Sequence, residues 1–188
     1  NRLSLCMIEK DEEQHLHNCL HSVQGLVDEI IIVDTGSTDR TKEIAQSFGA
    51  KVFDFAWFDD FAAARNESLK HATGDWILVL DADEVLDEEG KQAISQAIQE
   101  LSVYAYVLPQ LHYTNTLVAQ AGFVPLQNAP FKGYFVSEVI RLFRNSPEIR
   151  FQFCVHETIF PSLHGKEVIP LPAAIHHLQE EKGTIPQK

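Results

Sequence analysis

Two hydrophobic periods alternate along the first hundred residues. Leu3 to Ile8 is a short apolar run of the kind buried in a strand. Lys10-Asp11-Glu12-Glu13 follows, which places Asp11 as an N-cap with acids in the first helical turn. Leu16, Cys19, Leu20 and Val23 then recur at the i, i+3, i+4, i+7 spacing of a helix, and Gly25 closes it. Ile30-Ile31-Ile32-Val33 is a continuous β-branched run, the pattern of a strand covered on both faces in a parallel sheet. Asp34-Thr35-Gly36-Ser37-Thr38-Asp39 predicts a tight turn and a cap for a helix whose inner face is Ile44, Ala45 and Phe48. Lys51 to Phe55 reads as a third strand. Asp59 and Asp60 cap a helix reaching Ala72, Gly74 breaks it, and Trp76 to Leu80 is a fourth strand ending in Asp81-Ala82-Asp83-Glu84. A helix from Asp87 to Leu101 follows. Four strands separated by three helices predict an α/β fold with a parallel sheet and right-handed crossovers.

From Val103 the chain becomes rich in β-branched, aromatic and proline residues. Val103 to Leu108, Glu138 to Phe143 and Val155 to Phe160 read as strands, and the weakly patterned stretch from Thr114 to Gly133 reads as a long loop. Neither half is a comfortable size alone, so one shared sheet is expected rather than a boundary near residue 102.

The net charge of −12 argues against a nucleic-acid partner, because phosphate binding along a duplex needs a basic face. Cys6, Cys19 and Cys154 are too few and too scattered for a disulfide framework; Cys6 and Cys19 sit in apolar patterns as small core residues, and a reducing, cytoplasmic setting fits. No apolar run approaches the ~18 residues of a transmembrane segment, and no basic-then-apolar leader is seen. The start at Asn1 and the polar tail from Glu180 to Pro186 suggest a piece of a longer protein.

Ligands of an open parallel sheet collect at the carboxyl ends of its strands. Two acidic clusters fall there, at Asp34 and at Asp81 to Glu84. Asp81 and Asp83, two apart on an extended segment, are expected to point the same way. Two carboxylates held close repel unless a cation sits between them, and Mg2+ or Mn2+ with oxygen ligands relieves this. A solvated acidic loop is the competing reading; the position directly after a buried strand favours the metal. The same string also opens a phosphatase of the haloacid-dehalogenase type, with a nucleophilic first Asp, but no Asp occurs after Asp87 to complete that site. Arg141 and Arg144 flank Leu142-Phe143, one suited to a diphosphate and the other to a surface acid. His17 and His21 share a helix face without a strong third ligand. Trp57 and Phe58 suit stacking on a sugar or base, or packing under a loop.

Leu3-Ser4-Leu5-Cys6-Met7-Ile8 with Lys10-Asp11-Glu12-Glu13, Asp28 to Asp39, Phe61-Ala62-Ala63-Ala64-Arg65-Asn66 and Asp75 to Glu84, taken in order, resemble family 2 glycosyltransferases of the GT-A fold. The likeness is narrower to the bacterial branch often fused to tetratricopeptide repeats, which includes peptide S-glycosyltransferases and lipopolysaccharide-core glucosyltransferases; Arg141-Leu142-Phe143-Arg144-Asn145 and Val155-His156-Glu157 are similar to its later motifs. The resemblance spans roughly residues 3 to 160. It implies a single GT-A domain over 1–188, with a nucleotide-binding half (1–102), a β-rich acceptor-side half (103–188) and a mainly parallel central sheet. It implies a metal-dependent, inverting hexosyl transfer from a nucleotide sugar, a UDP-sugar by preference, to a glycan, lipid or peptide acceptor.

Residue by residue, the resemblance implies that Met7, Ile8, Glu12 and Glu13 line the nucleoside pocket and that Asp34 accepts from the uracil N–H. Arg65 reaches the base or a phosphate. Asp83 binds Mn2+ or Mg2+ directly, while Asp81 bonds the ribose or holds the metal through water, with Ala82 between them at the nucleotide. His177, or else His176, completes the metal shell. With both aspartates on the donor and no later Asp, Glu157 is the expected catalytic base and Glu138 the second choice; a surface Glu157 beside a packed His156 is the competing reading. On a strand, His156 and Glu157 would face opposite ways, so both reach one site only where the strand ends or bulges. The chain departs from the family in having Glu9 where an apolar residue is usual, in lacking a glycine near Phe153, and in following His177 with Leu178-Gln179-Glu180. A non-catalytic nucleotide-sugar or carbohydrate-binding module is the alternative function.

Overall fold

The computed structural model describes residues 1–116, 122–127 and 129–178. The first half alternates as β1 (Leu3–Glu9), α1 (Leu16–Ser22), β2 (Glu29–Asp34), α2 (Thr41–Ser47), β3 (Lys51–Asp54), α3 (Phe61–His71) and β4 (Trp76–Val79). The four strands are parallel in the order β3-β2-β1-β4. The apolar runs are continuous because both faces are covered. Leu3, Leu5 and Met7 of β1 join Leu16, Cys19 and Leu20 of α1 in one core cluster. Cys6 joins Ile31, Ile77 and Val79 with Ala62 and Leu69 of α3 in the other. Burying each such large side chain contributes roughly 1.5–3 kcal/mol.

The second half adds β5 (Glu84–Leu86), α4 (Glu88–Ala97), β6 (Ala105–Thr114), β7 (Val124–Pro125), β8 (Gly133–Arg144), a 3-10 turn (Phe160–Leu163), β9 (Val168–Pro170) and β10 (Ile175–His177). The sheet continues from β4 as β8-β6-β10-β5. β8 runs antiparallel to both β4 and β6, whereas β10 is parallel to β6 and antiparallel to β5. One mixed sheet therefore joins both halves.

Two expectations are corrected. Asp11 does not cap α1, whose N-cap is His15 with no side-chain bond; Asp11 sits at φ 55° and its Oδ1 accepts from Thr38 N at 2.7 Å, tying the β1 tip to the turn after β2. Val155 to Phe160 is not a strand. Phe153 (φ 74°) and His156 (φ 56°) are in the left-handed region, which ends extended pairing and leaves a single bridge, Gln152 to Thr158. In the stretch from Thr114 to Gly133, read as a long loop, Val124–Pro125 forms β7 against β8 and Thr114 pairs with Gly133 at the ends of β6 and β8; residues 117–121 and 128 lie outside the described residues. By contrast, Asp60 caps α3 through Ala63 N at 2.9 Å and Asp87 caps α4 through Gly90 N at 2.7 Å. The tail from Glu180 to Pro186 lies outside the described residues.

The end of the sheet opposite the strand tips is fastened by Glu29, which accepts from Ser4 Oγ at 2.6 Å and Lys51 Nζ at 2.9 Å and from Thr73. Burial works against its ionisation, but hydrogen bonds from Ser4, Thr73 and Lys51 bring it down to about 2. Gly74 N donates to the same Ser4 Oγ at 2.8 Å. A Cβ at Gly74 would stand 2.6 Å from Ser4 Oγ, 2.9 Å from Ser4 N and 3.0 Å from Arg2 O. Gly74→Ala is expected to destabilise the fold by about 1–3 kcal/mol, because two of those neighbours are backbone and cannot swing away. Urea unfolding checks this, and a wild-type midpoint would refute it.

Candidate active site

A cleft of 730 Å³ opens at the carboxyl ends of β1, β2 and β4. Ile8, Glu9, Lys10 and Glu12 come from the β1 tip, and Thr35 from the β2 tip. Trp57 precedes α3, and Phe61 and Arg65 project from it. Asp81, Ala82 and Asp83 follow β4, Val155 to Glu157 form the far wall, and His177 comes from β10.

Asp81 lies at the centre of the charge arrangement. Its Oδ1 accepts from Arg65 Nη2 at 2.5 Å and its Oδ2 from Arg141 Nη2 at 2.8 Å. Arg65 Nε also donates to Glu157 Oε1 at 3.2 Å, and Arg141 Nη2 to Glu84 Oε1 at 3.3 Å. Gln110 Nε2 donates to the same Glu84 oxygen. Two guanidinium groups thus face three carboxylates. Burial works against ionisation of Asp81, but Arg141 and then Arg65 hold it well below the usual carboxylate range. Burial, and then Asp81, push Glu84 up against the pull of Arg141.

The aspartate pair does not have the extended geometry expected of it. Residues 81–84 close a turn in which Glu84 N donates to Asp81 O at 3.0 Å, so the two side chains diverge. Asp81 goes to the arginines. Asp83 Oδ2 meets His177 Nε2 at 3.0 Å. Behind that pair, His177 Nδ1 lies 2.9 Å from His112 Nδ1, and His112 Nε2 lies 2.7 Å from Ser137 Oγ. The hydrogen bond to Asp83 raises the His177 pKa in spite of burial, whereas burial, and then His177, lower that of His112. Among the described residues no group of three or more His, Cys, Asp or Glu side chains is arranged to hold a metal. The donors that fit a hard dication are Asp83 and His177, on the cleft wall, because Mg2+ and Mn2+ sites commonly take one or two protein ligands and leave the rest to phosphate and water. Both oxygens of Asp81 accept from arginine, so its charge is already matched within the protein, whereas Asp83 meets only His177. The same clamp leaves it ill-disposed as a phosphatase nucleophile.

The structure brings Ile8, Glu12, Arg65, Asp81, Ala82, Asp83, His177 and Glu157 to one cleft. It sends others elsewhere. Met7 is fully buried in the core beneath α1, on the opposite face of β1 from Ile8. Glu13 is exposed and accepts from Arg40 N at 3.1 Å. Asp34 is buried and turned back on its own turn, accepting from Gly36 N at 3.0 Å and Ser37 N at 2.9 Å, so Thr35 lines the cleft in its place. Arg141 and Glu138 line an adjacent recess of 380 Å³, to which Glu157 also belongs. His176 bonds Asp87 and Tyr113 instead of the aspartate pair. Arg144 stacks over Trp76 at 4.3 Å and donates to backbone carbonyls. His156 and Glu157 do share one site, because the left-handed His156 turns the chain between them. Sequence reasoning missed Glu9, Thr35, His112, Glu84 and Gln110 as partners. Glu9 left a signal as a charged residue continuing the inward row Leu3, Leu5, Met7, and Glu84 as the last acid of the cluster that follows β4.

The sequence matches Glycosyl transferase family 2 over residues 4–138. The chain belongs to that family. It is 44% identical over 162 residues to a TPR repeat-containing protein of Synechococcus elongatus, covering 86% of this chain and 36% of that protein. It is 28% identical over 153 residues to the SPbeta prophage-derived glycosyltransferase SunS of Bacillus subtilis, covering 80% and 33%. The chain thus spans about a third of the length of these relatives. Its fold is that of S. aureus TarS 1-349 in complex with UDP-GlcNAc (TM-score 0.66, 18% identity, 97% of this chain and 60% of that one). It is also that of the mannosyltransferase PcManGT from Pyrobaculum calidifontis in complex with GDP-Man and Mn2+ (TM-score 0.66, 14% identity, 97% and 58%). This family 2 domain therefore has the GT-A fold. Among the described residues no helix is long and apolar enough to cross a membrane.

In this family 2 domain the arginine clamp carries a stability cost when broken. Asp81→Asn is expected to lower stability at pH 7 by about 2 kcal/mol. That is less than the roughly 3–5 kcal/mol of a fully buried pair, because the Asp81 side chain keeps 37% exposure. The folded pKa is depressed, so the wild-type advantage is present above the unfolded value near 3.9 and fades as pH falls below it. Urea unfolding at pH 7 and pH 3 checks this; equal losses at both would refute it.

Proposed function

We propose that the domain transfers a sugar from a UDP-sugar, with metal assistance and inversion, onto an acceptor hydroxyl or other nucleophile of a glycan, lipid or peptide. The observation that carries the reading is the Asp83–His177 pair on the wall of a cleft that also presents Arg65. The family and the ligands printed for TarS and PcManGT support a nucleotide-sugar donor.

Asp83 and His177 would hold Mn2+ or Mg2+, whose chemistry is to neutralise the leaving diphosphate. Arg65 adds a fixed positive charge on the same wall, and Asp81 orients it. Trp57 and Phe61 restrict water at the mouth of the cleft. Glu157 is the proposed base. It lies on both the cleft and the adjacent recess, so it stands between donor and acceptor sides. It takes the acceptor proton as the acceptor atom bonds to the anomeric carbon, and the diphosphate departs from the opposite face with the bonding electron pair. Glu138, exposed on β8 in the recess alone, is the second choice. The second reading, a non-catalytic nucleotide-sugar-binding module, draws on one feature: Glu157 is engaged by Arg65.

Calorimetry with UDP is expected to show at least tenfold tighter binding with Mn2+ than with chelator, and Asp83→Ala or His177→Ala to remove most of that gain. Binding indifferent to the metal would sink the metal assignment. In a donor-hydrolysis or transfer assay, Glu157→Gln is expected to lower turnover by about 10²–10⁴-fold while leaving UDP affinity within a few-fold. Unchanged turnover would move the base elsewhere, and a wild type that binds donor but never turns it over would favour the binding module.

A further inference from the structure

β1 sends alternate side chains to opposite faces, and Leu3, Leu5 and Met7 all enter the core beneath α1. Glu9 is next in that row. It is 4% exposed, and it lies on the cleft wall. Its Oε1 is buried with no hydrogen-bond partner among the described residues. Packing alone would place an apolar residue there, and a buried oxygen without a partner keeps its desolvation penalty uncompensated. The local fold gives no return for that cost. Among the described residues the bonds of Glu9 are those of its backbone, its carbonyl accepting from Thr35 N at 2.9 Å and Thr35 Oγ1 at 3.2 Å.

The position of β1 indicates what would meet this side chain. β1 lies between β2 and β4, with Glu9 in register with Asp34. Glu9 therefore has Thr35 at one side of its backbone and the turn from Asp81 to Asp83 at the other, and its side chain leaves the sheet on the α1 face at the edge of the cleft. A diphosphate belongs near Arg65 and the Asp83–His177 pair, where the positive charge of the cleft lies, rather than at the β1 tip, which among the described residues carries Glu9 and Glu12 and no cation but Lys10. The part of a nucleotide that crosses the β1 tip is then the uncharged nucleoside.

We propose that Glu9 is a nucleoside-contacting residue of this cleft, its carboxyl hydrogen-bonded to the base or ribose of the bound donor. The proposal rests on the reading of the cleft as a nucleotide-sugar site. The surroundings suit a carboxyl that offers an O–H donor beside a C=O acceptor. Burial, then Asp81, with Glu12 and Asp83, favour its neutral form, while Arg65 on α3 opposes them. Cys19 on α1, the nearby thiol, is itself pushed up by burial and then by Glu9.

The test compares wild type, Glu9→Gln and Glu9→Val by calorimetry with uridine, with UDP and, in Mn2+, with inorganic pyrophosphate. Glu9→Val is expected to weaken uridine and UDP about tenfold, Glu9→Gln to stay within about threefold of wild type, and pyrophosphate to bind all three alike. Thermal unfolding of Glu9→Val is expected at or above the wild-type midpoint, because an unsatisfied buried oxygen is removed; Glu9→Ala repeats the comparison if valine disturbs packing. Wild-type uridine affinity in Glu9→Val, equal losses in Glu9→Gln and Glu9→Val, or a parallel loss of pyrophosphate would each overturn the contact. A wild type that binds no UDP would overturn the donor reading and the contact with it. A wild type that binds UDP while the variants match it overturns the contact alone.

Discussion

Asp81 is gripped from two sides by groups that belong to different parts of the chain. Arg65 reaches it from α3, in the βα-alternating first half, and Arg141 from β8, in the antiparallel second half. Each guanidinium also holds a further carboxylate, Glu157 or Glu84. Removing either arginine leaves Glu157 or Glu84 without its cation and Asp81 with one in place of two, which is more costly than the intact cluster is favourable. The cluster therefore fixes where the second half sits against the first, and with it the two walls of the cleft.

That constraint separates the roles of the two aspartates. A turn, not an extended segment, follows β4; both aspartates line the cleft, but Asp81 is paired with Arg65 and Arg141 while Asp83 meets His177. The polar chain then runs on through His112, Ser137 and Gln110 to Glu84 and returns to Arg141. The bonds to Asp83 and His112 at its two ring nitrogens hold His177 in one ring orientation. The site is thus built of β4, β6, β8 and β10 together, and no single segment contains it.

The fold of the first half was readable because its signals are local. The β-branched run at Ile30 to Val33, the helical spacing of Leu16, Cys19, Leu20 and Val23, and the caps Asp60 and Asp87 each depend on neighbours a few residues away. Misplaced features had rivals at equal sequence distance. Asp11 was as good a cap on paper as Asp60, but a left-handed backbone gave its carboxylate to Thr38. Val155 to Phe160 had strand composition, and two left-handed residues broke it. Of the site, Arg65, Asp83, His177 and Glu157 were legible as residues worth attention. Asp34 was not correctly placed, because whether a carboxylate leaves a strand end outward or folds back onto Gly36 and Ser37 is settled by the turn alone.

The sequence by itself determined that four strands would lie parallel with acids at their tips, since hydrophobic period and turn chemistry are properties of short segments. It also carried the family, through four motifs in order. Only the tertiary structure decided which acid meets which base. Arg65 and Glu157 are 92 residues apart, and Asp83 and His177 are 94. Pairings at that separation follow from strand order and from the balance between burial and charge, and neither is written in any one stretch of the chain.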